Sequence, residues 1–346
     1  MKVLLVGATE SPHLQRWAGA LVEAGDRVAC AGFHPLGIDG VEEIVLPAGD
    51  RGDSRYLRAL PALRRFVHRF DPELIHAHFV SSYGLMALAT AGSRPVVQFA
   101  WGTDLMAPEE LNRPQWGLVA TALRRAAGVV VDCADVGAVV RARARREPLQ
   151  VTFGPPASWT RAPRVPEPSI LSPRGLLPKY NPGNVVAAFA SAADELAGWR
   201  LDVLTAGRDP AILKGNLAAR GLADRATWWP FLERDALQSR YLAAEIMCSV
   251  PPRDATSVCL LEAMASGAFP IVSDLPANRE LISDGENGLI VPVGDVVALA
   301  EALKRAAGDQ DFRRRAATTN RELVAATSTW ERAVEAVIEL SASLIR

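Results

Sequence analysis

Residues 246–291 read IMCSVPPRDATSVCLLEAMASGAFPIVSDLPANRELISDGENGLIV. The run opens with five largely apolar residues followed by two prolines, a pattern typical of a buried parallel strand. A polar loop leads into an apolar helix from about Val258 to Ser266, and Gly267 predicts the helix end because glycine readily adopts the left-handed conformation. This strand, loop and helix predict an α/β domain with a parallel sheet.

The loop before the helix combines hydroxyl and acidic side chains. Thr256 or Ser257 is predicted to cap the helix, whose first N–H groups, including that of Val258, form a positive concavity that can bind a phosphate. Asp254 precedes the cap and Glu262 lies just over one turn inside the helix, so both carboxylates border the predicted anion seat. A capped helix is also common in ordinary α/β domains, and a surface position for Glu262 remains an alternative.

The whole run resembles the signature of family 4 of the retaining glycosyltransferases, also called the group 1 glycosyl transferases. In this chain the matching features are two acids separated by seven residues, then LLEAMASG, PIVSD, NRE and DGENGLIV. The resemblance implies an α/β fold of the GT-B type. That fold has two Rossmann-like doubly wound parallel-sheet domains, an interdomain cleft and a C-terminal helix that crosses back to the first domain.

The chain length supports two domains. Its 346 residues exceed one ordinary core and suit two domains of roughly 150 residues or more. Residues 154–178 are rich in proline and lack periodicity, so they are interpreted as the linker between the domains, continuing into the first elements of the second. We assign residues 1–160 to an acceptor-binding domain, 161–328 to a nucleotide-sugar-binding domain and 329–346 to the crossover helix.

The composition narrows the function class. Hydrophobic residues make up 49% and charged residues 22%, with a formal net charge of −1. This balance is typical of a soluble globular protein and argues against a nucleic-acid partner. We find no transmembrane run or signal peptide, so a cytoplasmic location is expected. The four separated cysteines predict buried, reduced thiols.

The first domain begins with a strand, Lys2 to Ala8, and a helix ending at Gly25. The loop between them lacks the G-x-G-x-x-G fingerprint, which argues against a dehydrogenase. Its SPHLQRW segment is similar to the first loop of some bacterial members of the family, which makes His13 and Arg16 candidates to face the cleft. A solvent-facing histidine and arginine are the simpler alternative.

Further short strands are predicted at Arg27–Gly32, Glu42–Leu46, Leu74–His78, Val96–Ala100 and Gly128–Asp132. Two clusters follow the third and fourth of them, at the strand ends where doubly wound folds bind ligands. His76 and His78 alternate in IHAHF, so both imidazoles lie on one face of a strand, and without a third ligand nearby a metal pair is disfavoured. By resemblance this segment lies on the acceptor side, and His78 is a candidate catalytic group. Many family members have H-G-x-D where this chain has WGTD, so Trp101 is predicted to stack on a sugar and Asp104 to border the cleft.

The second domain supplies the predicted donor contacts. Arg174 and Lys179 resemble the basic pair with which the family grips the donor diphosphate, and two cations there would offset charge on the leaving group. The turn at Gly207 is similar to a family segment that follows a strand. The loop containing Phe231 and Leu232 corresponds to the place where relatives hold the nucleotide base through backbone groups.

Two stretches, residues 51–69 and 141–146, are locally basic. Solvated helix faces explain them most simply, and docking to an anionic membrane surface is the sharper alternative. The partners expected from the resemblance are a nucleotide-sugar donor of the UDP or GDP type and a carbohydrate or lipid-linked acceptor. No cofactor and no metal are expected.

The resemblance implies metal-independent transfer of a sugar with retention of configuration. Glu262 would hold the ribose hydroxyls, Asp254 the hydroxyls of the transferred sugar, and Arg174 and Lys179 the diphosphate. Two alternatives remain open, namely a nucleotide-sugar epimerase or hydrolase of the same fold, and a non-catalytic binding relative. Aspartate where most members have glutamate, and tryptophan in place of histidine, motivate the second.

Overall fold

The computed structural model describes residues 1–48, 52, 54–102, 104–106 and 112–345. They form two compact units, Met1–Val151 together with Arg332–Arg346, and Thr152–Glu331. The boundaries assigned from the sequence, after residues 160 and 328, differ from these. Residues 152–160 and 329–331 belong to the second unit in the structure.

The first unit is built on a seven-stranded parallel sheet in the order β3-β2-β1-β4-β5-β6-β7, counted over the described residues. Short apolar runs form the central strands, which are buried on both faces as parallel strands between helices must be. The strands are β1 (Lys2–Val6), β2 (Arg27–Gly32), β3 (Glu42–Val45), β4 (Leu74–His78), β5 (Val96–Ala100), β6 (Gly128–Val131) and β7 (Leu149–Gln150). The helices of residues 1–151 are α1 (Pro12–Glu23), α2 (Ser54–Phe70), α3 (Leu85–Thr90), α4 (Arg113–Arg125) and α5 (Ala134–Ala144).

The second unit repeats this architecture with a six-stranded parallel sheet in the order β10-β9-β8-β11-β12-β13. Its strands are β8 (Glu167–Ser172), β9 (Arg200–Leu204), β10 (Ala226–Trp229), β11 (Ala244–Ser249), β12 (Phe269–Ser273) and β13 (Leu289–Val291). The helices are α6 (Pro182–Ser191), α7 (Ala211–Ala218), α8 (Arg234–Ala243), α9 (Val258–Ser266), α10 (Pro276–Arg279), α11 (Val296–Gly308) and α12 (Gln310–Thr327).

The final helix, α13 (Trp330–Leu344), begins in the second unit and belongs to the first unit from Arg332 onward. Its buried face includes Val337 and Ser341. In the first unit an added Cβ on Gly128 would lie 3.3 Å from Leu340 Cδ2, so β6 and α13 pack closely.

Each sheet has one topological switch point, where the chain reverses the direction in which it adds strands. In the first unit β1 pairs with both β2 and β4, and in the second unit β8 pairs with both β9 and β11. Open parallel sheets bind ligands beyond the carboxyl ends of the strands at this point. The loops after β1 and β4, and those after β8 and β11, are therefore the places to look for sites.

The proline-rich stretch of residues 154–178, interpreted as a linker that continues into the second domain, includes the first elements of the second unit. It contains a 3₁₀ turn, Ala157–Arg161, and the central strand β8. Only four residues of β8 are buried, and prolines lie on both sides of it, so the segment shows too little apolar periodicity to predict a strand.

Candidate functional site

Arg174, in the loop after β8, connects the two loops at the switch point of the second unit. Its Nη1 donates a hydrogen bond to Asp254 Oδ2 and a second, 2.8 Å long, to Ser257 Oγ. Both acceptors follow β11. The side chains of Arg174 and Asp254 are 14% and 19% exposed, so the ion pair is largely shielded from water.

Tyr180 brings the two predicted cations together. The Arg174 guanidinium lies 4.3 Å and the Lys179 ammonium 5.0 Å from the centre of the Tyr180 ring. Such cation–π contacts contribute roughly 0.5–1 kcal/mol each at exposed sites. Lys179 is exposed and has no acidic partner in the described part of the chain, so its charge remains available.

Helix α9 begins at Val258, and Ser257 occupies the N-cap position without making a capping bond. The Ser257 side chain makes no hydrogen bond to the first turn and instead accepts from Arg174. Leu260 and Leu261 donate their N–H groups to the Ser257 carbonyl oxygen, so the amides of Val258 and Cys259 precede the intrahelical ladder. Because the Ser257 side chain does not bind the N–H groups of the first turn, these groups can donate to an anion.

Glu262 is half-buried on α9, near Cys259 and Tyr241. Burial raises the pKa of the Tyr241 hydroxyl well above its usual value, and Cys259 and then Glu262 raise it further. Burial also raises the pKa of the Cys259 thiol to about 11 against the opposing charge of Arg174. Cys259 therefore stays a neutral thiol between the predicted acid Glu262 and the predicted cation.

The remaining predicted donor residues occupy neighbouring loops of this sheet edge. Gly207 has a φ of 79° in the loop after β9, and this loop touches the loop after β8, because a Cβ on Gly175 would lie 2.9 Å from Ala206 Cβ. After β10, Phe231 is 67% exposed, whereas Leu232 packs against the buried cluster beneath α9. Thr256 and Val258 are half-buried.

The DGENG segment supports the fold instead of bordering the site. Asn287 Nδ2 donates to Asn320 Oδ1, and Asn320 Nδ2 donates to the Asn287 carbonyl oxygen, both at 2.8 Å. Asn287 Oδ1 also accepts from the Ser283 N–H at 2.8 Å. These buried amides join the loop before β13 to α12, which gives this part of the family pattern a structural role.

In the first unit, the Trp101 ring stacks with that of His78 and lies tilted against that of His13. Its ring centre lies 5.5 Å from that of His13 and 5.5 Å from that of His78. His78 is 2% exposed and stacks on Phe99 at 4.4 Å, and burial, with His76 and His13, lowers its pKa well below the usual value. His78 is therefore a neutral support of Trp101, and its ring faces are covered by Phe99 and Trp101.

His13 and Arg16 lie at the start of α1, beside Trp101. The outer edge of His13 is exposed, yet desolvation by the surrounding chain, followed by the charge of Arg16, lowers its pKa. Arg16 is half-buried. The helix is capped by Ser11, whose hydroxyl accepts from the His13 N–H at 3.3 Å, so the SPH segment sets the position of both side chains.

His76 contacts the C-terminal helix and not a ligand-binding loop. Its Nε2 lies 2.9 Å from Ser341 Oγ, and Ser341 donates its own proton to the Val337 carbonyl oxygen. Ser341 therefore accepts from His76, which fixes the proton on Nε2. Burial lowers the pKa of His76 to about 3.

Asp104 joins the loops that follow β4 and β5. Its Oδ2 accepts from the Val80 N–H at 2.7 Å, and its Oδ1 accepts from the Trp101 N–H at 3.1 Å. Burial raises its pKa to about 6 against these backbone hydrogen bonds. Just before Val80, Phe79 has a φ of 76°, which is strained for an aromatic residue. Asp104 thus organises backbone, and both its oxygens are occupied.

Within the described ranges, no group of three or more His, Cys, Asp or Glu side chains could hold a metal ion. Among the same residues, no helix is long and apolar enough to cross a membrane.

Residues 141–146 are largely used within the first unit. Arg141 pairs with Glu147 at 2.8 Å, Arg146 donates to carbonyl oxygens at the end of α4, and Arg143 lies 4.8 Å from the Trp116 ring centre. Of the other basic stretch, Arg51 lies outside the described residues.

Sequence reasoning missed Tyr180 and Cys259 as members of the cluster around Arg174. An aromatic residue directly beside the predicted cation Lys179 was the available signal for Tyr180. Nothing in the spacing distinguishes Cys259 from the other apolar positions of α9.

Comparison with known proteins adds family matches for both units. The model of the glycosyl transferases group 1 matches residues 159–323, and that of glycosyl transferase 4-like proteins matches residues 2–132.

Two curated relatives match over 145 residues, which is 41% of this chain. They are an exopolysaccharide phosphotransferase of Streptomyces coelicolor, 32% identical, and an alpha-D-kanosaminyltransferase of Streptomyces kanamyceticus, 29% identical. The matched segments make up 15% and 38% of the lengths of these two relatives.

Among solved structures, Anabaena HepE in complex with UDP-glucose superimposes with a TM-score of 0.82 at 14% identity. The match covers 99% of this chain and all of that one. This similarity shows the GT-B fold, as expected from the sequence. With both units matched by adjoining family models, the chain belongs to the group 1 glycosyl transferases of glycosyltransferase family 4.

Proposed function

We propose that this protein is a glycosyltransferase that moves a sugar from a nucleotide diphosphate sugar to a hydroxyl of a glycan, glycolipid or small-molecule acceptor. The observation that carries the proposal is the cluster at the switch point of the second unit. There Arg174 and Lys179 flank one tyrosine ring, beside a helix start whose Ser257 hydroxyl makes no cap.

The charges of this cluster suit a diphosphate. Among the described residues, Nη2 and Nε of Arg174 have no acceptor, so three N–H donors remain for phosphate oxygens. Lys179 adds a mobile cation, and the first turn of α9 adds backbone N–H groups. These groups stabilise negative charge that grows on a leaving diphosphate, which is a metal-free form of electrostatic catalysis.

Glu262 is the proposed partner of the ribose hydroxyls. Its carboxylate can accept two hydrogen bonds from neighbouring hydroxyls, whereas the backbone groups near Phe231 would hold the base. The proposal includes UDP and GDP donors, because backbone contacts leave no signature of the base in the side chains. The complex of HepE with UDP-glucose supports the UDP type.

Retention of configuration is part of the proposal. The bond between the sugar C1 and the diphosphate oxygen breaks while the acceptor oxygen bonds to C1 from the same face. The acceptor proton passes to the departing phosphate oxygen, so no protein base is needed. The buried His78 fits this route because Phe99 and Trp101 pack against its ring and burial holds its pKa well below the usual value.

The test is turnover with a panel of UDP and GDP sugars in the presence of candidate acceptors and EDTA. Glu262→Ala and Lys179→Ala should each lower kcat/KM at least ~10-fold, which corresponds to ~1.4 kcal/mol of transition-state stabilisation. The exposed Glu322→Ala on α12 serves as a matched control and should retain wild-type activity. Wild-type turnover in the Glu262 and Lys179 variants would contradict the assigned site.

The same assay separates the rival functions. A hydrolase releases nucleotide and free sugar without an acceptor, and an epimerase converts one nucleotide sugar into another. A non-catalytic relative binds a nucleotide but shows no turnover with any donor or acceptor. Each of these results would replace the transferase proposal.

We also propose that α2 contacts an anionic membrane surface, on the cytoplasmic side of the membrane. Helix α2 contains five arginines and no acidic residue. Its exposed side chains include Arg64, Arg65 and the 71%-exposed Leu57. Each cation near anionic headgroups contributes about 1 kcal/mol.

The protein should co-sediment more with vesicles that contain phosphatidylserine than with vesicles of phosphatidylcholine alone. The double variant Arg64→Glu with Arg65→Glu should abolish this difference. Equal binding of the wild-type protein to both kinds of vesicle would exclude this contact.

A further inference from the structure

Asp254 has one partner among the residues that the structure describes. Its Oδ2 accepts from Arg174 Nη1, and the two side chains are mostly buried. Carboxylate–guanidinium hydrogen bonds are about twice as strong as bonds between neutral groups, such as those between hydroxyls. The charge of Asp254 is therefore compensated by Arg174 in an ion pair.

Arg174 is fixed from three directions. Both protons of Nη1 are used, one by Asp254 and one by Ser257 Oγ at 2.8 Å, and the ring of Tyr180 lies 4.3 Å below the guanidinium carbon. A planar guanidinium with one nitrogen and one face fixed has a defined orientation. Its remaining donors, on Nη2 and Nε, then point in a set direction.

We propose that Asp254 is a positioning residue for Arg174 and does not hold the hydroxyls of the transferred sugar. This inference rests on the proposed function, because it assigns the Asp254 effect to the donor diphosphate. It changes the role that the family resemblance implies for this acid. The aspartate side chain is one methylene shorter than the glutamate of most members, and here it ends at the guanidinium.

The positioning role and the sugar-binding role differ in which part of the donor loses affinity when Asp254 is changed. A residue that acts through Arg174 changes the affinity for the nucleoside diphosphate itself. A residue that binds the sugar changes the affinity for the nucleotide sugar and leaves that for the nucleoside diphosphate alone. The ratio of the two dissociation constants therefore separates the roles.

The experiment is calorimetric titration of the full chain with UDP and UDP-glucose, and with GDP and GDP-mannose. In Asp254→Asn we expect the Kd for the nucleoside diphosphate to rise by about 10-fold, because Arg174 loses a charge-assisted anchor. The ratio of nucleotide-sugar Kd to nucleoside diphosphate Kd should stay within about twofold of wild type. In an Arg174→Met background, Asp254→Asn should have less than about a twofold effect, because coupled residues are not additive.

A ratio that shifts more than about fivefold overturns the inference, as does an unchanged nucleoside diphosphate affinity. An Asp254→Asn effect that persists at full size in the Arg174→Met background also overturns it. In each of these cases the wild-type protein still binds nucleotide, so the proposed function stands. A wild-type protein that binds neither UDP nor GDP refutes the proposed function and the inference with it.

Ser257→Ala provides a second variant if Asp254→Asn does not fold. Ser257 Oγ is the other acceptor of Nη1 and makes no capping bond, so its loss should leave α9 intact. The same pattern is expected, with a changed nucleoside diphosphate Kd and an unchanged ratio. Asp311→Asn removes the acid of an exposed Asp–Arg pair on α12 and is the matched control, for which both constants should equal those of wild type.

Discussion

His76→Gln should make the first unit less sensitive to acid. His76 is fully buried, and its Nε2 donates to Ser341 on α13, a bond that the glutamine amide can replace. Burial lowers the pKa of His76 to about 3, whereas an unfolded histidine has the ordinary value of 6.5. The unfolded chain therefore binds the proton first as the pH falls, and stability is lost through the window below about pH 6.5.

The size of the effect follows from the two pKa values. Between about pH 7 and about pH 5, protonation stabilises the unfolded form by about 2 kcal/mol, while the folded form stays neutral. Glutamine does not titrate, so the variant should lack this part of the loss. The difference between the two proteins isolates His76 from every other titrating group.

The assay is urea denaturation of both proteins at the two pH values. Loss of stability from the higher to the lower pH should be about 2 kcal/mol larger in the wild type. His68→Gln, which changes an exposed histidine of α2, is the matched control and should behave as the wild type. Identical losses in the wild type and His76→Gln, or an NMR titration of the His76 ring near pH 6.5, would refute the reasoning.

Two further predictions follow from buried polar groups. Asp104 should change the stability with pH in the opposite direction to His76, because burial raises the pKa of Asp104 to about 6. The folded chain takes up this proton first, which adds about 1 kcal/mol of stability between about pH 7 and about pH 5. Denaturation of Asp104→Asn at the two pH values should show no such gain in stability. A gain equal to that of the wild type would contradict the burial of this carboxyl. Asn320→Ala should lower the free energy of unfolding by roughly 2–3 kcal/mol, since the Asn287 carbonyl loses its donor and the Asn287 side-chain amide loses one of its two acceptors. A loss below about 0.5 kcal/mol in chemical denaturation would show that these amides find other partners.

Most strands could be predicted from local apolar runs. The predicted strands at Arg27–Gly32, Leu74–His78 and Val96–Ala100 match β2, β4 and β5 to the residue, because buried parallel strands need no polar face. The strand β8 was missed because only SILS within it is buried and prolines surround it. Its assignment depends on pairing with β9 and β11, and both partners are distant in sequence.

The residue types that meet at the switch point of the second unit could be named from the sequence, but their partners could not. Arg174 and Asp254 are separated by 80 positions, and no local pattern reveals that the arginine donates a hydrogen bond to the aspartate. The H-x-H alternation correctly places His76 and His78 on one strand face. It does not reveal that Phe99 packs against both rings, that Ser341 lies beside His76, or that His78 is only 2% exposed.

The two units share one topology but differ in the polarity of their switch points. In the first unit, neutral aromatic rings collect there, and the acid Asp104 is consumed by backbone amides. In the second unit, Arg174 keeps unused N–H donors and Lys179 keeps its charge next to a helix start. A flat ring such as Trp101 suits the face of an uncharged sugar, whereas fixed and mobile cations suit a diphosphate. Because the sheets are alike, the difference in polarity comes from the loop residues after β1 and β4 in one unit and after β8 and β11 in the other.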